Sequence, residues 1–255
     1  MESDVKYRAQ ILGVAVDRMT LDQCVDRLDQ AVIERRRCHI VLVNAAKIVK
    51  CRFDPELAEI VRHADLIGAD GVPVVWASRL LGRSLPGRVN GTDLMERLFR
   101  LCETKGHSVY LLGARPEVLA RAVAAIREQY PGLRIAGSRH GYFGSAKDEQ
   151  RAVRAIAESG ADVLLVGMST PMKEKWVHRH SRELAVPVIH GIGGSFDILA
   201  GVTRRAPLWM QRDGLEWFYR LCQEPRRMWK RYLVTNSIFV YLVIRELVRT
   251  RAMRL

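Results

Sequence analysis

Two hydrophobic rhythms share this chain and take turns along it. Short apolar runs occur at Ile11 to Val16, His39 to Val43, Leu66 to Ala69, Val109 to Leu112, Leu133 to Ala136, Val163 to Val166 and Val186 to His190. Between most of them, apolar positions return every three or four residues, as in Leu21, Val25, Leu28 and Val32, or Leu94, Leu98, Leu101 and Cys102. A short apolar run predicts a buried strand, and the wider spacing an amphipathic helix. Helices are thus expected at Glu117 to Tyr130, Lys147 to Glu158 and Met172 to Leu184. Another opens at Asp54-Pro55-Glu56, with Pro at the first helical position, and another carries Val72, Val75, Trp76 and Leu80 until Gly82 stops it. Such alternation builds a parallel sheet covered on both faces. From Pro207 onward the pattern is helical only. The expected fold is α/β, with a parallel-sheet core over residues 1–200 and a helical appendage over residues 201–255.

Charge changes the picture most in that appendage. The 255 residues are 48% hydrophobic, enough for a sizeable core, and carry a net charge of +13. From Gly201 onward there are 12 Lys and Arg against 4 Asp and Glu, so most of the excess lies in the tail. An anionic partner is expected: nucleic acid, anionic lipid or a phosphorylated substrate. In the tail Trp209, Trp217, Phe218 and Trp229 alternate with Arg204, Arg205, Arg212, Arg220, Arg226 and Arg227. Rings with basic neighbours suit the headgroup level of an anionic membrane, while the plain alternative is a helix docked on the core or on another subunit. Cys24, Cys38, Cys51, Cys102 and Cys222 form no CxxC pair, so no disulfide framework or zinc knuckle is expected. The polar amino terminus and the lack of any run of eighteen apolar residues predict a protein that is neither secreted nor transmembrane.

Candidate chemistry gathers at strand ends. Asp70 follows Leu66 to Ala69 and precedes a helix, the place where open α/β sheets bind ligands; it is either a catalytic carboxylate or a helix N-cap. Asn44 ends another strand in the same way. Arg88 stands in a polar loop with no evident structural task, where a solvated surface arginine is the alternative, and Asp93 with Glu96 has the spacing of a capping pair. Gly193 and Gly194, after the last strand, are placed to offer backbone amides to a phosphate. No GxGxxG, GxxxxGK[ST] or GxSxG is present, which leaves dehydrogenase, P-loop and hydrolase readings without their motifs. His178, His180 and Glu174 lack HExxH and read as a solvated helix face rather than a metal site.

Several ordered blocks resemble one family. Val43-Asn44-Ala45, Asp70-Gly71, Arg88-Val89-Asn90-Gly91-Thr92-Asp93-Leu94, Phe196-Asp197-Ile198-Leu199-Ala200-Gly201, Arg205-Ala206-Pro207 and Gly214-Leu215-Glu216-Trp217 through Gln223-Glu224-Pro225-Arg226-Arg227 are similar to the WecG/TagA/CpsF glycosyltransferases over nearly the whole chain. The resemblance implies a Rossmann-like core and an appendage that completes the active site at the membrane. It implies inverting transfer from a UDP-sugar to a polyprenyl-diphosphate-linked sugar, at the cytoplasmic face of the bacterial inner membrane, and self-association of the core. Asp70 falls on the family's proposed base, Arg88 on a phosphate contact, and Arg220, Arg227 and Arg231 on arginines that steady the diphosphate. Asn44, Asp93, Lys173, Gly193 and Gly194 complete the candidate substrate contacts. Leu42 and the Pro171-Met172-Lys173-Glu174 block depart from the commoner Thr and PxQE patterns, which bears on donor choice. No cofactor is expected and metal independence is predicted, because no DxD-like or His/Cys cluster is evident and the basic tail can neutralise a diphosphate. A chain ended near Ala200 is expected to be poorly active. The rival readings are a nucleic-acid-binding protein and a catalytically silent membrane scaffold; no recognition motif accompanies the basic charge, so no nucleic-acid partner is expected.

Overall fold

The computed structural model describes residues 7–252, except for the side chains of Arg227, Met228, Lys230, Arg231 and Arg251. The first apolar run, expected as one strand, is a hairpin of β1 (Arg8–Ile11) and β2 (Val14–Asp17). Leu12 and Gly13 turn the chain between them at φ of 50° and 87°, a left-handed pair that suits a tight hairpin turn and that glycine adopts without steric cost. The buried Asp17 carboxylate holds the hairpin to the sheet by accepting the Ile67 amide at 2.6 Å.

The rest of the core follows the expected alternation. In order come α1 (Leu21–Ile33), β3 (Cys38–Val43), α2 (Ala45–Phe53), α3 (Pro55–Arg62), β4 (Leu66–Ala69), α4 (Val72–Leu80), α5 (Gly91–Lys105), β5 (Ser108–Gly113), α6 (Pro116–Gln129), β6 (Arg134–Arg139), α7 (Ala146–Glu158), β7 (Val163–Gly167), α8 (Met172–His180), β8 (Val188–Gly191) and α9 (Ser195–Leu199). Local chemistry sets several starts: Thr20 and Gln23 form a capping box on α1, and Asp54 caps α3 ahead of Pro55. The last strand begins later than its apolar run because Pro187 has no amide to give to the ladder, and pairing starts at Cys38 with Val188. Strand β6 lies at the sheet edge and carries arginine at both ends, which is why its apolar signal is short.

The six strands are parallel, in the order β4-β3-β8-β7-β5-β6. Chain order reverses beside β3: β4 lies on one flank and β8, the last strand made, on the other. A cleft opens past the carboxyl ends at such a switch point. Beyond the core lie α10 (Leu208–Arg212), α11 (Glu216–Gln223) and α12 (Pro225–Ala252). Helix α12 has 28 residues, about 42 Å at 1.5 Å per residue. Tyr232 and Asn236 near its start face the cleft, while Phe239, Leu242 and Val243 are buried in the same apolar cluster as Val43, Ile48 and Val49. The appendage therefore completes part of the core's packing, and Arg83 pairs with Glu246 beside that contact. Among the described residues no helix is long and apolar enough to cross a membrane.

Candidate active site

The sheet register builds the site. Val43 stands opposite Ala69, so Asn44 and Asp70 leave adjacent strands side by side, and the Asp70 amide donates to the Val43 carbonyl at 2.8 Å. The N-cap of α4 is Gly71, at φ 99° and with no side-chain cap bond, so Asp70 is not spent on capping. Asn44, in contrast, is the cap of α2: its side-chain oxygen accepts the Lys47 amide at 3.0 Å. Its side chain stands beside the Asp70 carboxylate and favours its charged form. Burial pushes the Asp70 carboxyl above the ordinary range and Glu216 adds to this, while Lys47, Arg88 and the Asn44 side chain oppose it without cancelling it.

The loop after α4 is pinned when the Val89 amide donates to the Ala69 carbonyl at 2.7 Å, which brings Arg88 over the end of β4. Arg88 is half-buried rather than solvated, and its Nη1 donates to Glu216 Oε2 at 2.6 Å. From the other side α11 carries Arg220, with no ion-pair partner among the described residues. A Cβ added at Gly194 would meet the Arg220 guanidinium at 2.9 Å, so the absence of a side chain there lets the cation lie against the loop. Asn44, Asp70, Arg88, Gly194 and Arg220 line one cavity of about 260 Å³.

Other candidates lie elsewhere. Asp93 does not cap α5, whose cap is Asn90, and does not line the cleft; Asp93 and Glu96 both pair with Arg205, which fixes the 201–207 connection to α5. The acid pair that mimics a capping motif serves a distant arginine. Gly193 turns the loop at φ 58° but does not line the cavity. The side chains of Arg227 and Arg231 lie outside the described residues. The Ser195 hydroxyl is occupied, donating to the Ile192 carbonyl at 2.9 Å and meeting Thr92 Oγ1 at 3.1 Å.

Lys173 sits beneath the cleft rather than in it. A Cβ on Gly191 would strike its Cε at 2.7 Å, so the lysine stem runs under the glycine loop. There it joins a buried cluster: Lys47 Nζ is 2.7 Å and Lys173 Nζ 3.2 Å from Glu174 Oε1, and Lys173 also donates to Thr170 at 2.7 Å. Burial works against the Glu174 charge, yet the two lysines outweigh it and hold the carboxyl near pKa 2; burial drops Lys173 to about 8. His39 and His190 beside the cluster are kept neutral by burial, with values near 3 and 4. The expected solvated face of α8 is therefore corrected: Glu174 and His180 are buried, because Trp176 and Val177 pack that helix inward, and of the three residues His178 alone is exposed. Lys47, the ion-pairing of Glu174 and the place of Glu216 are the features the sequence did not reveal.

A carboxylate and two guanidinium groups facing one cleft at the switch point of a parallel sheet define a group-transfer enzyme of the Rossmann-like α/β class. The chain belongs, more particularly, to the glycosyl transferase WecG/TagA/CpsF family, whose sequence model matches residues 9–253. It is 33% identical over 214 residues to the N-acetylglucosaminyldiphosphoundecaprenol N-acetyl-β-D-mannosaminyltransferase of Bacillus subtilis (strain 168), covering 84% of this chain and 82% of that one. The Staphylococcus aureus (strain MW2) protein of the same name is 31% identical over 238 residues, 92% of each chain.

Proposed function

We propose that this glycosyltransferase moves a sugar from a UDP-sugar to a hydroxyl of a polyprenyl-diphosphate-linked sugar, with inversion, in the synthesis of a cell-envelope polysaccharide. One observation carries the reading: Asp70 shares its cleft with Arg88 and Arg220. The base and the cations that departing UDP requires thus stand on the same opening. Asp70 takes the acceptor proton as its oxygen attacks the anomeric carbon, and the guanidinium groups meet the charge that develops on the diphosphate. The relatives' names make N-acetylglucosaminyl-diphosphoundecaprenol and an N-acetylmannosaminyl donor the first pair to test. The test is label transfer from a panel of UDP-sugars to short-prenyl diphosphate sugars. No transfer from any donor, with a control enzyme active in the same mix, overturns the proposal. We further propose that no metal takes part, since arginines supply the countercharge: EDTA is expected to leave the rate unchanged, and its abolition by EDTA sinks that point.

The site is proposed to work at an anionic membrane surface, on the cytoplasmic face of the inner membrane. Trp209, Phe218, Trp229 and Leu233 are exposed, with Arg212 and Arg226 exposed among them. Rings that enter the headgroup layer and cations that meet phosphate predict cosedimentation with anionic vesicles that weakens as salt rises. Equal binding to zwitterionic vesicles, or tighter binding to nucleic acid with a steep salt slope, contradicts this reading.

A further inference from the structure

Glu216 is an acid in the most basic part of the chain, and it points into the phosphate side of the cleft. It is the first residue of α11 and is half-buried. Its Oε2 accepts from Arg88 at 2.6 Å and from Asn90 Nδ2 at 3.4 Å, while its Oε1 stands 3.8 Å from Arg205 Nε. These contacts are unequal in consequence. Arg205 already has Asp93 and Glu96 on α5, so its charge is met without Glu216. Arg88 has no other ion-pair partner among the described residues.

We infer that Glu216 is a positioning residue, which holds the Arg88 guanidinium in place for the diphosphate. The inference rests on the donor reading above. The backbone beside Arg88 is fixed through Val89, but an arginine side chain is long, and among the described residues its far end is held by Glu216 alone. Ordering that end before ligand arrives removes part of the entropy cost of binding. One guanidinium N–H goes to Glu216, and a guanidinium has five, so donors remain for phosphate oxygens. The same helix supplies the second cation: Arg220 lies four residues on, along the same side of α11, and reaches Gly194.

The experiment is calorimetric titration of the full chain with UDP in detergent buffer, over a cycle of wild type, Glu216→Gln, Arg88→Ala and the double variant, with steady-state KM and kcat alongside. Glu216→Gln keeps an acceptor but loses the charge that holds the guanidinium, and is expected to weaken UDP binding about tenfold, the difference between a charge-assisted and a neutral hydrogen bond, and to raise the donor KM in step. In the Arg88→Ala background it is expected to have no further effect, since a residue that acts through Arg88 has nothing left to act on. Should Glu216→Gln fail to fold, Glu216→Asp replaces it in the cycle, as the side chain shorter by one methylene withdraws from the 2.6 Å contact. Equal losses in both backgrounds, or no loss in either, overturn the inference alone. Tighter UDP binding also overturns it, by making Glu216 a competitor of phosphate. A wild type that neither binds UDP nor transfers sugar overturns the donor reading and this inference with it.

Discussion

Asp70→Asn is expected to lower kcat at least about a hundredfold and to leave UDP affinity nearly unchanged, within the 10²- to 10⁴-fold range of a lost general base. The substitution keeps the shape and the Asn44 neighbourhood but removes the proton acceptor. The pH profile tests the same claim from another side. A base must be deprotonated to act, and burial raises the Asp70 carboxyl above the ordinary aspartate value of 3.8. Activity is therefore expected to fall, as pH is lowered, at a higher pH than an ordinary aspartate would give. Lys47 opposes that rise, so Lys47→Met should move the acid limb to still higher pH. Equal rates for wild type and Asp70→Asn across the profile would place the base elsewhere.

How far such a site can be read from sequence depends on the range of the interaction that makes it. Asp70 and Asn44 were legible because strand ends are local: an apolar run stops, a polar residue follows, and the sheet register brings the two together. Arg88 and Arg220 stood out in the sequence as a loop arginine without a structural task and a tail cation among aromatics, but a phosphate role for them came only through resemblance. Glu216 and Lys47 were hidden for a related reason. Their partners Arg88 and Glu174 lie more than a hundred residues away, and no periodicity encodes a contact across that separation. Asp93 and Glu96 show the opposite failure, where a local pattern was satisfied but tertiary structure used both acids for Arg205. Gly13 is a milder case: one apolar run held both strands of a hairpin, and the glycine within it marked the turn.

Glu174→Ala is expected to destabilise the protein by about 3–5 kcal/mol, because it leaves Lys47 and Lys173 buried with no countercharge. In a chain of this size that corresponds to a fall in melting temperature of roughly 6–20 °C. The wild-type advantage should depend on pH in a defined sense. Glu174 has a folded value near 2 against an ordinary glutamate value of 4.5, so the stability it contributes is complete above the unfolded value and is lost as pH falls from there toward 2. Melts of wild type and Glu174→Ala should differ widely at pH 7 and converge toward pH 2; equal melts at pH 7 would mean that water reaches the lysines. Replacing all three charges, as Lys47→Met, Lys173→Met and Glu174→Leu together, is expected to recover most of the loss, since an apolar core of similar volume removes the burial cost of the ions. That variant should still carry a raised acid limb in its pH profile, because the cation that restrains Asp70 has gone. A stable protein with a displaced limb would assign the buried cluster to tuning the base rather than to holding the fold, and a limb left in place would confine it to the fold.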